Sequence, residues 1–179
     1  MSGRRDGRMP KTSEQMKQLV EEYIKITKVK YEDQTQVVRS KTQTIDWQFY
    51  VGDNIIVSKN ANREDRIHIN VNMRFTPQDT KLLVPSNPAF AKAAIEISGI
   101  CTACGVGHQW VNAGGEVAGL AIFSHVDEQV LDRVTFHNAW DNVARVSGHM
   151  QKILRANLGN LAKGTAAPSG GPAESSIYG

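Results

Sequence analysis

Arg66-Ile67-His68-Ile69-Asn70-Val71-Asn72-Met73-Arg74-Phe75 decides the fold. Apolar and polar residues alternate through it without a break. Successive side chains of a strand point to opposite faces, so Ile67, Ile69, Val71, Met73 and Phe75 share one face. His68, Asn70, Asn72 and Arg74 share the other. That pattern predicts a half-buried strand of an antiparallel sheet, with water or a partner on its second side. Burying the five apolar side chains is worth about 10 kcal/mol before chain entropy is counted.

Upstream, Ile45, Trp47, Phe49 and Val51 alternate with Asp46, Gln48 and Tyr50, and Gly52-Asp53-Asn54 supplies a tight turn. Ile55, Ile56 and Val57 open a second strand that ends near Asn60. These and the first stretch make a three-stranded meander. Before it, Thr12 or Ser13 caps a helix with Gln15 in capping-box position, and Met16, Leu19, Val20, Tyr23 and Ile24 form its apolar stripe. Residues 28–44 carry no clear period and read as a helix extension or a connector.

Downstream, Thr76-Pro77-Gln78-Asp79 is a helix start, with a capping threonine, proline in the first turn and an acid beside it. The chain breaks at Pro85, restarts at Ser86-Asn87-Pro88 and runs as Phe90, Ala93, Ala94, Ile97 and Ile100 to near Gly105. Two more strands are predicted over 107–112 and 117–124. Asp127 is the expected cap of a last helix carrying Phe136, Trp140, Val143, Val146, Met150, Ile153 and Leu154, closed by Gly159. The expectation is one two-layer α+β domain over 12–158. It has a five-stranded, mostly antiparallel sheet with helices packed on it, in the order α-β-β-β-α-β-β-α.

Charge is unevenly spread. Of 21 Lys and Arg and 18 Asp and Glu, residues 1–11 take four and one, and the stretch from Gly159 onward takes one of each. Sixteen of either sign remain, so the predicted domain is neutral and the net charge of +3 rides on Arg4, Arg5, Arg8 and Lys11. Such an arm suits phosphates or an acidic surface, and equally serves as a solvated terminus. Residues 1–11 read as disordered, and 159–179, rich in Gly, Pro, Ala and Ser, as a flexible tail. No apolar run approaches the ~18 residues of a membrane span, and no apolar signal core is seen. Two cysteines are too few for a disulfide framework. A cytoplasmic protein is expected.

Two segments carry a resemblance. Arg66 to Leu82, an alternating strand running into Arg74-Phe75-Thr76-Pro77, and Asp127 to Trp140, with its His137-Asn138 pair, resemble an archaeal family of unknown function with the type III secretion chaperone-like fold. The element order is that of the same fold. The resemblance implies a small, non-enzymatic, commonly dimeric protein that binds extended segments of other proteins. It implies no catalytic residue.

Among chemical motifs, Cys101-Thr102-Ala103-Cys104 followed by His108 has part of a zinc spacing, but a closed site needs four ligands and no second CxxC exists. A redox CxxC belongs at a helix N-terminus, where the dipole favours thiolate, whereas this one follows a helix. The plainer reading is two small apolar side chains in a last helical turn, with Gly105 as its cap. Ser124, His125 and Asp127 are neighbours on a strand, so Ser124 and His125 point to opposite faces and make no triad. Gly114-Gly115 reads as a hairpin turn, lacking the lysine and helix of a phosphate loop.

Three functions follow as expectations. The first is a non-enzymatic protein-binding or adaptor module, chaperone-like and homodimeric, docking a partner segment on His68, Asn70, Asn72, Arg74 and Trp140. The second is a nucleic-acid-associated protein using Arg4, Arg5, Arg8 and Lys11 with the polar strand face. The third is a zinc- or redox-dependent protein built on Cys101, Cys104 and His108. No catalytic residue and no cofactor other than that zinc are expected.

Overall fold

The computed structural model describes residues 11–52, 54–62 and 65–159. The basic residues Arg4, Arg5 and Arg8 and the Gly/Pro-rich segment beyond Gly159 lie outside them. Helix α1 is Ser13–Ile26, capped by Thr12 and Gln15 in a reciprocal capping box. Met16, Val20 and Ile24 form its buried stripe. After it come β1 (Tyr31–Asp33) and α2 (Thr35–Arg39), in the region where no period was readable. The meander is β2 (Ile45–Val51), β3 (Ile55–Asn60) and β4 (Arg66–Arg74). A one-turn helix α3 (Pro77–Thr80) precedes α4 (Pro88–Ala103), then β5 (Gly107–Ala113), β6 (Glu116–Asp127) and α5 (Arg133–Leu158).

The sheet has six strands in the order β1-β2-β3-β4-β6-β5, every adjacent pair antiparallel, where five were expected. The extra strand is β1. Three residues with two acids give no alternation to detect, and β1 exists because Tyr31, Glu32 and Asp33 pair with Val51, Tyr50 and Phe49. The eight expected elements occur in the expected order, with β1, α2 and α3 added.

The last helix starts later than expected. Asp127 makes no side-chain cap; it ends β6 and precedes a 3-10 turn, Glu128–Val130. The cap is Asp132, whose carboxylate accepts from the Thr135 backbone N–H while the Thr135 hydroxyl oxygen accepts from the Asp132 N–H. Burial of Leu131 between the two aspartates holds the 3-10 turn down and delays the helix.

Cross-strand pairs place Ile55, Val57, Ile67, Ile69, Val71, Leu120, Ile122 and Val126 on one face. Helices α1, α4 and α5 pack on that face and complete one continuous core with Phe49, Trp47, Ile97, Phe136, Val143 and Met150. The second face carries Tyr50, Ile56, Ser58, His68, Asn70, Asn72, Arg74, Phe123 and His125.

Candidate docking edge and sheet face

The sheet ends in two unlike edges. At one, β1 is three residues long and charged. Its Asp33 takes an ion pair from Lys17 of α1 at 2.8 Å and a hydrogen bond from the Thr35 N–H at 2.9 Å. Burial alone would raise the Asp33 carboxyl; bonds from Lys17 and Thr35 outweigh it and hold it below the usual carboxylate range. Short length and charge are two devices by which proteins prevent an edge from pairing with another chain.

At the other edge, β5 offers Gly-His-Gln-Trp-Val-Asn-Ala, seven residues without Asp, Glu, Lys, Arg or Pro, bonded among the described residues to β6 alone. Gly114 and Gly115, at φ 60° and 84°, close a two-residue hairpin that requires the left-handed region at both positions. Trp110 fixes the strand from the helix side. Its ring meets Phe90 edge-on at 5.1 Å and stacks on Phe75 at 6.4 Å. Gln109 and Val111, on the opposite face, are exposed. None of the devices that protect β1 is present on β5.

On the face away from the helices, β4 presents His68, Asn70, Asn72 and Arg74, opposite His125, Phe123, Ala121 and Gly119 of β6. Exposure rises along it: His68 is buried, Asn70 and Asn72 are half-buried and Arg74 is exposed. The sequence placed these four side chains on one face, and they are so placed. Trp140, grouped with them as a partner contact, is buried on α5 against Phe136 at 6.1 Å, with both rings in the core. Its helical position is a core position, so it offers no surface. Lys11 is the only arm residue described, and its backbone N–H donates to Glu128 beside the end of β6.

The cysteine motif is a helix stop. The Val106 N–H donates to the Cys101 carbonyl at 3.0 Å and the Gly105 N–H to Thr102 at 3.2 Å, with Gly105 at φ 64°. That is the two-bond pattern of a Schellman cap, in which the apolar residue just past the helix packs on the one that starts the motif. Val106 and Cys101 are both buried. Burial pushes the Cys101 thiol up, and nearby Cys104 adds to the rise. His108 lies on the helix side of β5, opposite Ile122. Among the described residues no three of His, Cys, Asp and Glu stand together as a metal cage, so Cys101, Cys104 and His108 do not make the zinc site considered above. Ser124 faces the core opposite Ile69 and His125 faces away, and Asp127 approaches Arg66 at 3.3 Å as an ion pair too poorly aligned for a hydrogen bond.

One polar cluster was missed. Lys59, 2% exposed, lies on the core side of β3 between Trp47 and Ile67. Its ammonium is 3.7 Å from Asp46, whose carboxylate also takes the Arg39 guanidinium at 2.9 Å and the Ser13 hydroxyl. Burial alone would raise the Asp46 carboxyl; the bonds from Ser13 and Arg39 and the charges of Lys59 and Arg39 hold it below the usual range. The signal was parity, since 55, 57 and 59 fall on one face and the third is a lysine. The cluster joins α1, α2, β2 and β3, with every group committed to another, and so does structural work.

The fold is similar to that of an uncharacterised protein from Methanothermobacter thermautotrophicus known from a crystal structure, with a TM-score of 0.63 and 11% identity over 80% of this chain and 99% of that one. No protein-family model matches the chain. No curated protein sequence matches it. At that identity the likeness extends to the architecture alone.

Proposed function

We propose that the protein is a non-enzymatic docking module that takes an extended segment of a partner as a further strand along β5. One observation carries the reading: β5 is a seven-residue, charge-free edge on a sheet whose other edge is short and acidic. A strand added there satisfies its main-chain groups on β5 and gains specificity from alternate side chains meeting Gln109 and Val111 on one face and the neighbourhood of Trp110 on the other. A second copy of this chain qualifies as such a segment. With no charge on β5, two copies would pair antiparallel without opposing like charges. The chaperone-like order of elements supports the same reading by analogy of fold. The reading includes a reducing compartment, the cytoplasm, and two thiols that form no disulfide support it.

The test is a charge placed on the edge. Gln109→Lys with Val111→Lys changes two exposed side chains and no core contact. The variant should melt as the parent does, yet lose at least about tenfold in partner capture from native extract or in self-association by light scattering. A variant that keeps the same partners and the same mass would refute the edge as the docking site.

A further inference from the structure

We propose that His68 and His125 form a two-imidazole chelate for a borderline divalent transition cation, of the zinc and nickel class, on the sheet face opposite the helices. The two histidines come from strands β4 and β6 and oppose each other in the middle of a nine-pair antiparallel ladder that runs without a shift from Arg66↔Asp127 to Arg74↔Gly119. Directly opposed residues share a face with Cβ atoms about 4.5–5.5 Å apart. Two imidazole nitrogens that each bind a metal at about 2.0–2.1 Å need to approach to roughly 3.3 Å of one another, a span that two rings on such Cβ atoms reach by tilting together.

The surroundings suit a cation. His68 is buried and so held, while His125 is exposed and free to turn toward it. That exposure has a cause in the topology: β5 begins pairing at Gly107, opposite Phe123, so no residue of β5 flanks His125. On its far side, His68 is followed across the sheet by Ser58 and Gln48, whose polar groups can hold water bound to the metal. Arg66, two residues before His68 on the same face, has Asp127 at 3.3 Å and Asp65 at 3.7 Å, which offset its repulsion. Among the described residues no third His, Cys, Asp or Glu joins the pair. With water in the remaining positions, the site is an exchangeable one instead of a structural one. A pair of imidazole ligands favours zinc, nickel and copper over magnesium and calcium.

The experiment is calorimetric titration of the full chain with nickel(II) or zinc(II) alone, at neutral pH. Saturable binding of one ion per chain is expected, with a melting temperature that climbs with metal concentration. Because His68 is buried, its removal mixes ligation with packing, so the exposed His125 decides. His125→Ala should leave the metal-free melt unchanged and lose about 100-fold in affinity, the gain that a second, intramolecular ligand provides. Adding His68→Ala to His125→Ala should abolish the weak binding that the one remaining imidazole provides. His108→Ala, His149→Ala and Cys104→Ser should bind as the parent does. Absence of saturable binding by the parent, or binding retained in His125→Ala, would overturn the assignment.

Discussion

The β1 flank closes the sheet with three residues laced into ion pairs, whereas the β5 flank closes it with seven residues that carry no charge. Around β1, Lys17 reaches Asp33, the Tyr31 hydroxyl donates to Glu21 at 2.7 Å, Glu21 pairs with Lys25 at 3.0 Å, and Arg39 and Lys59 converge on Asp46. Around β5 the fixing contacts are shapes: Trp110 between Phe75 and Phe90, and the Phe123 ring laid over Gly107. Charged contacts specify a register and repel an unpaired strand. Shape contacts hold β5 from one side and leave its outer main-chain groups free to bond. Under the docking proposal, stability falls to one flank and recognition to the other.

The largest effect should come from breaking the charged flank. Asp46→Ala removes the partner of a lysine that is 2% exposed and leaves that charge buried without compensation. The expected loss is about 3–5 kcal/mol in denaturant unfolding. Adding Lys59→Met should recover much of it, because an apolar chain of similar length suits a site between Trp47 and Ile67. Equal losses in the single and double variants would mean that the ion pair is incidental.

Acid should weaken the same flank by a smaller amount, since a protonated carboxyl keeps some of its hydrogen bonds. Asp46 and Asp33 both have folded pKa values held below their ordinary ones. Their contribution is therefore complete above the unfolded value of about 3.9 and fades as pH falls through the lower folded value. Hydrogen exchange at pH 3 against pH 7, corrected for intrinsic rates, should show β1 and β2 losing protection while β5 and β6 keep theirs. Loss spread evenly over all six strands would contradict the division.

How far this contrast was legible in the sequence depends on what each flank is made of. The alternation from Arg66 to Phe75 reports a strand because its apolar residues all turn to the helix side, and the observed ladder pairs every one of Arg66 to Arg74 with β6. The hairpin at Gly114 and Gly115 was visible through its glycines. Strand β1 was not, because a strand fixed by its neighbours' ion pairs needs no apolar period of its own. The Asp46 cluster was hidden for the same reason: Ser13, Arg39, Asp46 and Lys59 are brought together only by the packing of α1 and α2 on the meander. In the cysteine motif the glycine was the informative residue, since Gly105 marks the helix stop into which Cys101 packs. The opposition of His68 and His125 depends on strand order, which places β6 beside β4, and no local pattern encodes that.

Two glycines give the finest probe of the uncharged flank. A Cβ on Gly119 would stand 2.6 Å from the Met73 carbonyl oxygen, and one on Gly107 would stand 2.3 Å from Cε2 of Phe123. The shorter contact is the easier to relieve. Phe123 is half-exposed on the face away from the helices, so its ring can swing outward about the side chain, whereas the Met73 carbonyl is main chain in the middle of the sheet. Gly119→Ala should therefore cost toward the upper end of about 1–3 kcal/mol, and Gly107→Ala toward the lower end. Phe123→Ala added to Gly107→Ala should remove the steric part of that cost and leave the cost of Gly119→Ala untouched. If Gly107→Ala proved the worse of the two, the Phe123 ring would be clamped in place, and the start of β5 would be held as firmly as the middle of the sheet.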